Sequence, residues 1–280
     1  AFYYRRGRRN HEGAGMILAI DCGNTNITFA LYNLSGEKQG NWRLETRSRR
    51  PADDYAVAFS QLLESDGFAL SGVSGCALAS VVPEATPHLT DLCKRRMGID
   101  PVIAEPSNGG LGMEVRIDQP AQLGADRLVN AYSVACSGDV PAIVLDFGTA
   151  TTFDIVLPAS DKKSLACYDG GVIAPGVHRS LEALVAAAAR LPDITIAAWP
   201  ADQPIIGKST ETAMQSGILW GYVSLIEGML GRIEAHYQEQ MQVIATGGLA
   251  YLFAPHISKI EHIRPDLTTD GLYQLAIRTK

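Results

Sequence analysis

Two stretches of the chain share the same order of apolar and polar positions. The first runs from Ile17 to Phe29 and the second from Ala142 to Phe153. Each contains four apolar residues, an aspartate, any residue, a glycine, a run of small hydroxyl or amide residues, and then β-branched or aromatic residues. The apolar run predicts a buried strand, and the small polar residues predict a tight turn into a returning strand. The sequence therefore predicts two similar β-hairpins, one containing Asp21 and the other Asp146.

Helical and strand patterns alternate along the rest of the chain, which favours an α/β fold. The predicted helices cover 53–63, 125–137, 181–191 and 210–236, and a further strand is predicted over 75–82. Because the hairpin pattern occurs twice, we expect two related half-domains. Their predicted extents are 16–125 and 126–280, and they follow a leader at 1–15.

The leader carries four arginines and no apolar periodicity. A secretory signal would need an apolar stretch of about 7–15 residues after the arginines, and the sequence has none. Met16 then opens the first predicted strand. We therefore interpret the leader as an expression remnant or a misplaced start, with a basic organelle-type extension as the less favoured alternative.

Composition excludes several classes of protein. The chain has 280 residues, of which 46% are hydrophobic, and a formal net charge of −6. The body has no basic stripe, which argues against a nucleic-acid partner. No apolar run approaches the roughly 18 residues of a membrane span, so we expect no membrane partner. The five cysteines are scattered and contain no CxxC pair, which fits a reducing cytoplasm better than a disulfide framework or a zinc site.

Each predicted turn offers backbone N–H groups and hydroxyls in a small concavity that suits phosphate oxygens. An aspartate at the end of the preceding strand can face Mg²⁺ directly or through water, which makes Asp21 a candidate Mg²⁺ residue. A single turn of this kind is as often an ordinary polar hairpin. Two matched copies favour a protein that holds nucleotide phosphates.

The segment Gly124-Ala125-Asp126-Arg127 opens a predicted helix. An aspartate in the first helical turn is common because it complements the helix dipole. The neighbouring arginine suggests more, because a carboxylate that accepts a hydroxyl proton would lie beside a guanidinium that binds an anionic substrate.

Three glycine-containing segments complete the set of candidates. Gly207-Lys208-Ser209 resembles a P-loop. That motif requires a glycine five residues before Gly207, where this chain has Asp202, so we reject that interpretation. We expect Thr210 to cap the following helix and to help hold a polar substrate. The run 170–176 is expected to approach a ligand or partner backbone. Thr246-Gly247-Gly248 follows a predicted strand and could lie against adenosine.

Taken together, these residues resemble the type III pantothenate kinase family, a member of the acetate kinase, sugar kinase, Hsp70 and actin superfold. The match extends from Met16 almost to the C-terminus. Its motifs are DxGNT at 21–25, GADR at 124–127, DFGTATT at 146–152, GGxIxPG at 170–176, the Ser-Thr helix start at 209–210 and TGG at 246–248. The resemblance implies two ribonuclease H-like half-domains with a cleft between them.

The resemblance also implies a function. It implies an enzyme that uses ATP and Mg²⁺ to phosphorylate pantothenate to 4′-phosphopantothenate, the first step of coenzyme A biosynthesis. Asp126 would be the catalytic base, Gly124, Ala125, Asp126, Arg127 and Thr210 would contact pantothenate, and Asp146 would bind a monovalent cation, K⁺ or NH₄⁺. The protein would be a cytoplasmic homodimer. The residues that would contact ATP are Asp21, Cys22, Gly23, Asn24, Thr25, Asn26, Ile27, Thr28 and Thr149, to which the turn interpretation adds Gly247 and Gly248.

One position departs from the family pattern, and two other functions stay open. Members often carry a tyrosine seven residues before the GADR glycine, where this chain has Ile117, so the pantothenate pocket is expected to differ. Another small-molecule kinase or a phosphatase of the superfold would keep both turns but lack the GADR and Ser-Thr elements. A non-catalytic transcriptional accessory factor related to the family would be expected to lose Asp21, Asp126 or Asp146, and all three are present.

Overall fold

A computed structural model describes residues 15–106, 109–188, 190–200 and 203–279. The leader interpretation therefore falls, except for Gly15, outside the described residues. Contacts divide the chain into two compact units. Unit 1 contains the chain up to Leu111, Gln119–Ser133 and the C-terminal segment from Thr268, and unit 2 contains Gly112–Asp118 and Val134–Leu267. The proposed boundary between half-domains at 125 and 126 stays a prediction.

Unit 1 is built on a five-stranded sheet with the order β3-β2-β1-β4-β5. Its strands are β1 (Met16–Cys22), β2 (Asn26–Tyr32), β3 (Lys38–Glu45), β4 (Val73–Ser80) and β5 (Val102–Ile103). The first three strands are antiparallel, while β4 runs parallel to β1 and β5 parallel to β4. The core lies between this sheet and helix α1 (Ala52–Ser65), where Phe59 stacks on Phe29 at 4.2 Å between ring centroids. A second helix, α2 (Thr86–Leu92), follows β4.

Two later helices add residues to unit 1. Helix α3 spans Ala125–Ser137, and the last helix of the chain, α7, spans Leu267–Arg278. The Tyr32 hydroxyl donates to Thr269 Oγ1 at 2.8 Å, and the Tyr32 and Tyr273 rings stack at 5.0 Å. A methyl group on Gly271 would lie 2.7 Å from the Val129 carbonyl oxygen, so α7 and α3 pack with almost no space between them. The C-terminal helix is thus part of the packing of the N-terminal sheet.

Unit 2 contains a six-stranded sheet with the order β11-β10-β7-β8-β9-β6. Its strands are β6 (Glu114–Val115), β7 (Ala142–Phe147), β8 (Ala150–Leu157), β9 (Cys167–Pro175), β10 (Gln242–Gly247) and β11 (Ile260–Ile263). Helices α4 (Val177–Ala187), α5 (Thr210–Tyr237) and α6 (Ala250–Phe253) complete the unit. The long helix α5 buries Leu219, Ile226 and Leu230 in the core, where Phe147 stacks on Phe253 at 5.2 Å.

The predicted α/β fold and both predicted hairpins are confirmed. The predicted helices at 125–137 and 210–236 match α3 and α5 closely. The helix predicted at 181–191 is wrong at both ends, because α4 spans Val177–Ala187. Gly176 is extended and begins the helix earlier than the apolar pattern indicated. Ala188 is already extended, so the helix ends four residues before the predicted end.

Candidate active site

The first turn joins β1 to β2 in unit 1. The last strand pair is Cys22 with Ile27, and the Gly23 amide donates to the Asn26 carbonyl at 3.0 Å. The amides of Asn24 and Thr25, both exposed residues, donate to no group among the described residues. Neighbouring amides without an internal acceptor can bind an anion. The turn therefore has the chemistry of a phosphate site.

Thr46, the residue after β3, stabilises this turn through two hydrogen bonds. Its amide donates to the Thr25 carbonyl at 2.9 Å, and its hydroxyl donates to the Gly23 carbonyl at 2.7 Å. Carbonyl oxygens repel anions. Because Thr46 donates a hydrogen bond to each of these two carbonyl oxygens, their repulsion of a bound phosphate is reduced. Thr46 was not a sequence-predicted site residue, because its role depends on the pairing of β3 with β2 and on no local motif.

Asp21 lies one residue before the end of β1, in register with Thr28 on β2 and Ala79 on β4. Its side chain is partly exposed at the strand end. Cys22 and Ile27, by contrast, are fully buried in the core of unit 1. Burial raises the pKa of the Cys22 thiol to about 11, so the thiol stays neutral. Any contribution of these two residues to a nucleotide site is therefore limited to their backbones.

Asp126 is located at the start of α3, also in unit 1. A methyl group on Gly124 would lie 2.5 Å from Asp126 Oδ1 and 3.8 Å from Val81 Cγ1. The Val81 amide in turn donates to the Cys22 carbonyl at 3.0 Å. The GADR segment therefore adjoins the end of β4 beside the first turn, and Gly124 provides the space that the Asp126 carboxylate occupies.

The Asp126 carboxylate is oriented by its own helix. Oδ1 accepts a hydrogen bond from the Arg127 amide at 2.8 Å, and the side chain is partly exposed. A first-turn carboxylate held in this way keeps its other oxygen available for a ligand. This arrangement can accept a proton from a hydroxyl group that is bound next to it.

The second turn joins β7 to β8 in unit 2 and is one residue shorter than the first. Its last strand pair is Phe147 with Thr151, and the Gly148 amide donates to the Ala150 carbonyl at 3.0 Å. A methyl group on Gly176 would lie 2.1 Å from the Thr149 carbonyl oxygen and 3.0 Å from that of Gly148. Gly176, the last glycine of the GGxIxPG motif, thus packs against the turn of its own chain. Thr149 itself is exposed.

Asp146 lies one residue before the end of β7, with threonines in register on both neighbouring strands. These are Thr152 on β8 and Thr246 on β10. Gly247 has a φ of +87°, and a methyl group there would lie 2.5 Å from Asp146 Oδ1. Gly248 is exposed, and a methyl group there would meet no atom within 4 Å. Gly247 is therefore required by the close approach of Asp146, whereas Gly248 presents a bare, open surface.

Thr210 is the first residue of α5, and the prediction that it caps this helix is wrong. The N-cap is Ser209, which has an extended backbone and accepts a hydrogen bond from the Thr212 amide at 3.2 Å. The Thr212 hydroxyl accepts from the Ser209 amide in return, which completes a capping box. Because Ser209 takes the capping role, the exposed Thr210 hydroxyl is not used as the cap.

Tyr222 connects α5 to the second turn. Its hydroxyl donates to the Pro175 carbonyl at 2.9 Å and lies 2.5 Å from the Ser180 hydroxyl on α4. Pro175 immediately precedes Gly176, which packs on Thr149. Tyr222 is one of the buried positions of α5, and its hydroxyl contact has no signal in the local sequence pattern.

Known proteins match almost the whole chain. The sequence profile of type III pantothenate kinase matches residues 17–232. The chain is 48% identical to the type III pantothenate kinase of Acidiphilium cryptum, covering 94% of this chain and 95% of that protein. It is 45% identical to the one of Caulobacter vibrioides, covering 93% and 96%. The chain belongs to the type III pantothenate kinase family.

Solved structures that resemble this family member share its fold. One is the ethanolamine utilization protein EutJ from Carboxydothermus hydrogenoformans, with a TM-score of 0.54 at 14% identity, covering 95% of this chain and 92% of that one. Another is component A of the (R)-2-hydroxyglutaryl-CoA dehydratase of Acidaminococcus fermentans, with a TM-score of 0.50 at 12% identity, covering 95% and 97%. The fold is that of the actin, Hsp70 and sugar kinase superfold.

A kinase of this family uses ATP with a divalent metal. Within the ranges that the structure describes, no group of three or more His, Cys, Asp or Glu side chains could hold a metal. Mg²⁺ needs few protein ligands when phosphate oxygens and water supply the rest. Asp21 lies close in sequence to the exposed amides of the first turn, and its carboxylate oxygens have the chemistry that such a metal binds.

No helix of the described ranges has both the length and the apolar character that crossing a bilayer requires.

Proposed function

We propose that this protein transfers the γ-phosphoryl group of ATP to the primary hydroxyl of pantothenate. The product is 4′-phosphopantothenate, and the reaction is the first step of coenzyme A biosynthesis. Membership of the type III pantothenate kinase family over nearly the full chain is the observation that carries this proposal. The intact Asp21, Asp126 and Asp146 support it.

In the proposed mechanism, the first turn binds ATP phosphates. The exposed amides of Asn24 and Thr25 donate to phosphate oxygens, and the segment 21–28 forms one wall of the nucleotide site. Thr149 in the second turn also contacts ATP, and adenosine lies against the backbone of Gly247 and the open surface of Gly248. Asp21 would hold the Mg²⁺, which would supply positive charge to the phosphates. Its position one residue before the first turn supports this assignment.

Asp126 acts on the acceptor hydroxyl in this mechanism. The carboxylate accepts the proton while the hydroxyl oxygen attacks the γ-phosphorus and ADP leaves. Phosphoryl transfer has a loose transition state, so the main task of Asp126 is to position the nucleophile. The remaining substrate contacts come from Gly124 to Arg127 and from Thr210, where the Arg127 guanidinium suits the pantothenate carboxylate.

Asp146 binds a monovalent cation, K⁺ or NH₄⁺, in this proposal. One carboxylate with threonine hydroxyls and backbone carbonyls provides oxygen ligands with a single negative charge. The single negative charge of this ligand set balances the charge of a monovalent cation. That cation also offsets the repulsion between the Asp146 carboxylate and the nearby anionic phosphates. We further propose that the protein acts as a cytoplasmic homodimer with no nucleic-acid partner, consistent with its net charge of −6.

The decisive experiment is an assay of the purified protein with ATP, Mg²⁺, K⁺ and pantothenate. We expect 4′-phosphopantothenate and ADP in equal amounts, identified by mass spectrometry. A panel of sugars and other small alcohols serves as the control for the alternative kinases of the superfold. Faster turnover of any panel member would overturn the assignment of pantothenate, and no turnover of any acceptor would favour the accessory-factor alternative.

A further inference from the structure

The loop after β3 carries three arginines that have no role in the function proposed above: Arg47, Arg49 and Arg50. Together with Thr46, Ser48 and Asp54 they line an open cavity of about 560 Å³. Thr46 also binds two carbonyl groups of the first turn, those of Gly23 and Thr25. The cavity therefore begins at the residue that supports the exposed amides of the phosphate turn.

The backbone of this loop is held by a buried side chain. The Tyr55 hydroxyl donates to the Arg47 carbonyl at 2.8 Å and accepts from the Arg47 amide at 3.3 Å. Tyr55 itself is fully buried in the core of unit 1. The Arg50 amide donates to the same Arg47 carbonyl at 2.9 Å, which closes a turn. The arginines thus project from a backbone that is attached to the core at one end and to the phosphate turn at the other.

The three arginines differ in their partners. Arg47 pairs with Glu45 at 2.9 Å, and Arg49 lies 3.8 Å from Glu84 with 89% of its side chain exposed. Arg50 is less exposed, and its guanidinium lies over the Tyr55 ring at 5.3 Å. Within the described part of the chain Arg50 has no carboxylate partner. The cavity is therefore lined by three guanidinium groups and one carboxylate, that of Asp54, and only Arg50 has no competing anion.

We propose that Arg50 binds a phosphate group of the nucleotide whose phosphates occupy the first turn. The loop 46–50 would then be a second anion-binding element, held in place by Thr46 and Tyr55. The aromatic ring keeps the guanidinium oriented before the ligand arrives, which reduces the entropy lost on binding. This inference rests on the proposed function only in that its ligand is a polyphosphate anion. The pantothenate carboxylate is the other anion in the reaction, but the direct link between the loop and the phosphate turn favours phosphate.

The first experiment compares the affinities of ATP and adenosine for the wild-type protein and for Arg50→Gln, measured by calorimetry without pantothenate. We expect the variant to bind ATP about tenfold more weakly, because a charge-assisted hydrogen bond is lost. Adenosine affinity should stay unchanged. Arg50→Lys keeps the positive charge but loses the planar fork, and we expect it to restore part of the ATP affinity.

The matched control is Arg95→Gln. This change removes the same charge from unit 1, at a surface residue that pairs with Asp91 at 3.3 Å. Its ratio of ATP to adenosine affinity should equal that of the wild type. Equal ratios in Arg50→Gln and Arg95→Gln would overturn the proposal, because a merely structural role for Arg50 would not depend on the number of phosphates.

A second experiment needs no variant and therefore stays decisive if Arg50→Gln fails to fold. The native protein is treated with phenylglyoxal, and the modification of each arginine is followed by mass spectrometry. ATP and inorganic tripolyphosphate should slow the modification of Arg50 at least about threefold, which is the occupancy effect expected at a few times Kd. Adenosine should not slow it, and Arg95 should react at one rate throughout. Unchanged reaction of Arg50 with ATP, or protection by pantothenate alone, would refute the assignment.

The failure of this inference is distinguishable from the failure of the proposed function. Neither experiment contains both substrates, so both report polyphosphate binding alone. A protein that does not phosphorylate pantothenate can still show the Arg50 effect. An active kinase whose Arg50 is indifferent to ATP would leave the proposed function intact.

Discussion

The turn after β1 and the turn after β7 share a residue pattern but are supported in different ways. In the first turn, a side chain and an amide of Thr46 bind the Gly23 and Thr25 carbonyls. In the second turn, which is one residue shorter, the backbone of Gly176 packs against the Gly148 and Thr149 carbonyls. One turn is thus held by hydrogen bonds and the other by close packing.

The aspartates before the two turns also differ in the residues that surround them. Asp21 has a threonine on one neighbouring strand and Ala79 on the other, whereas Asp146 has a threonine on each side and Gly247 packed against its carboxylate. The surroundings of Asp146 provide more hydroxyl oxygens in less space. We therefore expect the two copies of the motif to serve different ions, and the variants below separate their roles.

The largest effect is expected from Asp126→Asn, because chemistry on the hydroxyl is assigned to α3 and not to either turn. Turnover should fall about 10²–10⁴-fold, the range of general-base contributions. ATP affinity should stay close to that of the wild type. Steady-state kinetics and nucleotide titration measure the two quantities. The control is Asp100→Asn, which removes a carboxylate from an exposed pair with Lys94. Near-wild-type turnover of Asp126→Asn would show that the base lies elsewhere.

The next effect separates the two aspartates by ion. Wild-type turnover should depend on K⁺ or NH₄⁺, with Na⁺ a poor replacement. Asp146→Ala should raise the K⁺ concentration needed for half-maximal rate about 10–100-fold or more. Even substitutions of residues that only orient a metal ligand reduce metal affinity by that factor. Asp21→Ala should instead raise the Mg²⁺ concentration needed for half-maximal rate. Titrations of each ion at fixed ionic strength test both variants. Equal wild-type rates in sodium-only and potassium buffers would contradict the assignment at Asp146.

A third prediction concerns the packing of the second turn. Gly176→Ala places a methyl group 2.1 Å from the Thr149 carbonyl oxygen, whereas Gly23→Ala places one 3.3 Å from that of Asn26. We expect Gly176→Ala to cost about 1–3 kcal/mol of unfolding free energy through overpacking. Gly23→Ala should change it by less than about 1 kcal/mol in either direction.

Thermal unfolding of both variants tests this difference, with Gly72→Ala as the control. A methyl group on Gly72 would meet no atom within 4 Å. If Gly176→Ala unfolds at the wild-type temperature, then the second turn is not held by packing and the contrast between the turns disappears.

The smallest effect is expected from Thr46→Val. The variant loses the hydroxyl bond to Gly23 but keeps the amide bond to Thr25. We expect a loss of about 0.5–1.5 kcal/mol of unfolding free energy, the net worth of one hydrogen bond. ATP should bind somewhat more weakly, because the Gly23 carbonyl becomes a free acceptor near phosphate. Thr46→Ser should restore both quantities, and a serine variant that behaves like valine would argue against the hydroxyl bond.

Local pattern was sufficient to predict the two hairpins, because a buried strand followed by Asp-x-Gly leaves the backbone few alternatives. It also located the starts of α3 and α5. The cap of α5 was misassigned by one residue, since Ser209 and Thr210 are both good caps and only the backbone conformation decides between them.

The contacts that support the site could not be predicted in this way. Thr46 and the first turn are joined by the pairing of β3 with β2, and Gly176 meets Thr149 through the return of β9 along β8. Such contacts depend on the tertiary arrangement of the strands. The same is true of the contact between Arg50 and the Tyr55 ring, because the chain turns into helix α1 over the four residues that separate them.

The packing of α7 in unit 1 has a consequence for how the protein forms during translation. The Tyr32 ring and hydroxyl are covered by Thr269 and Tyr273, residues that follow unit 2 in the chain. Most of unit 2, from Val134 to Leu267, is a single uninterrupted segment that emerges before them. The sheet that carries the phosphate turn therefore acquires its full set of contacts only after unit 2 has been synthesised.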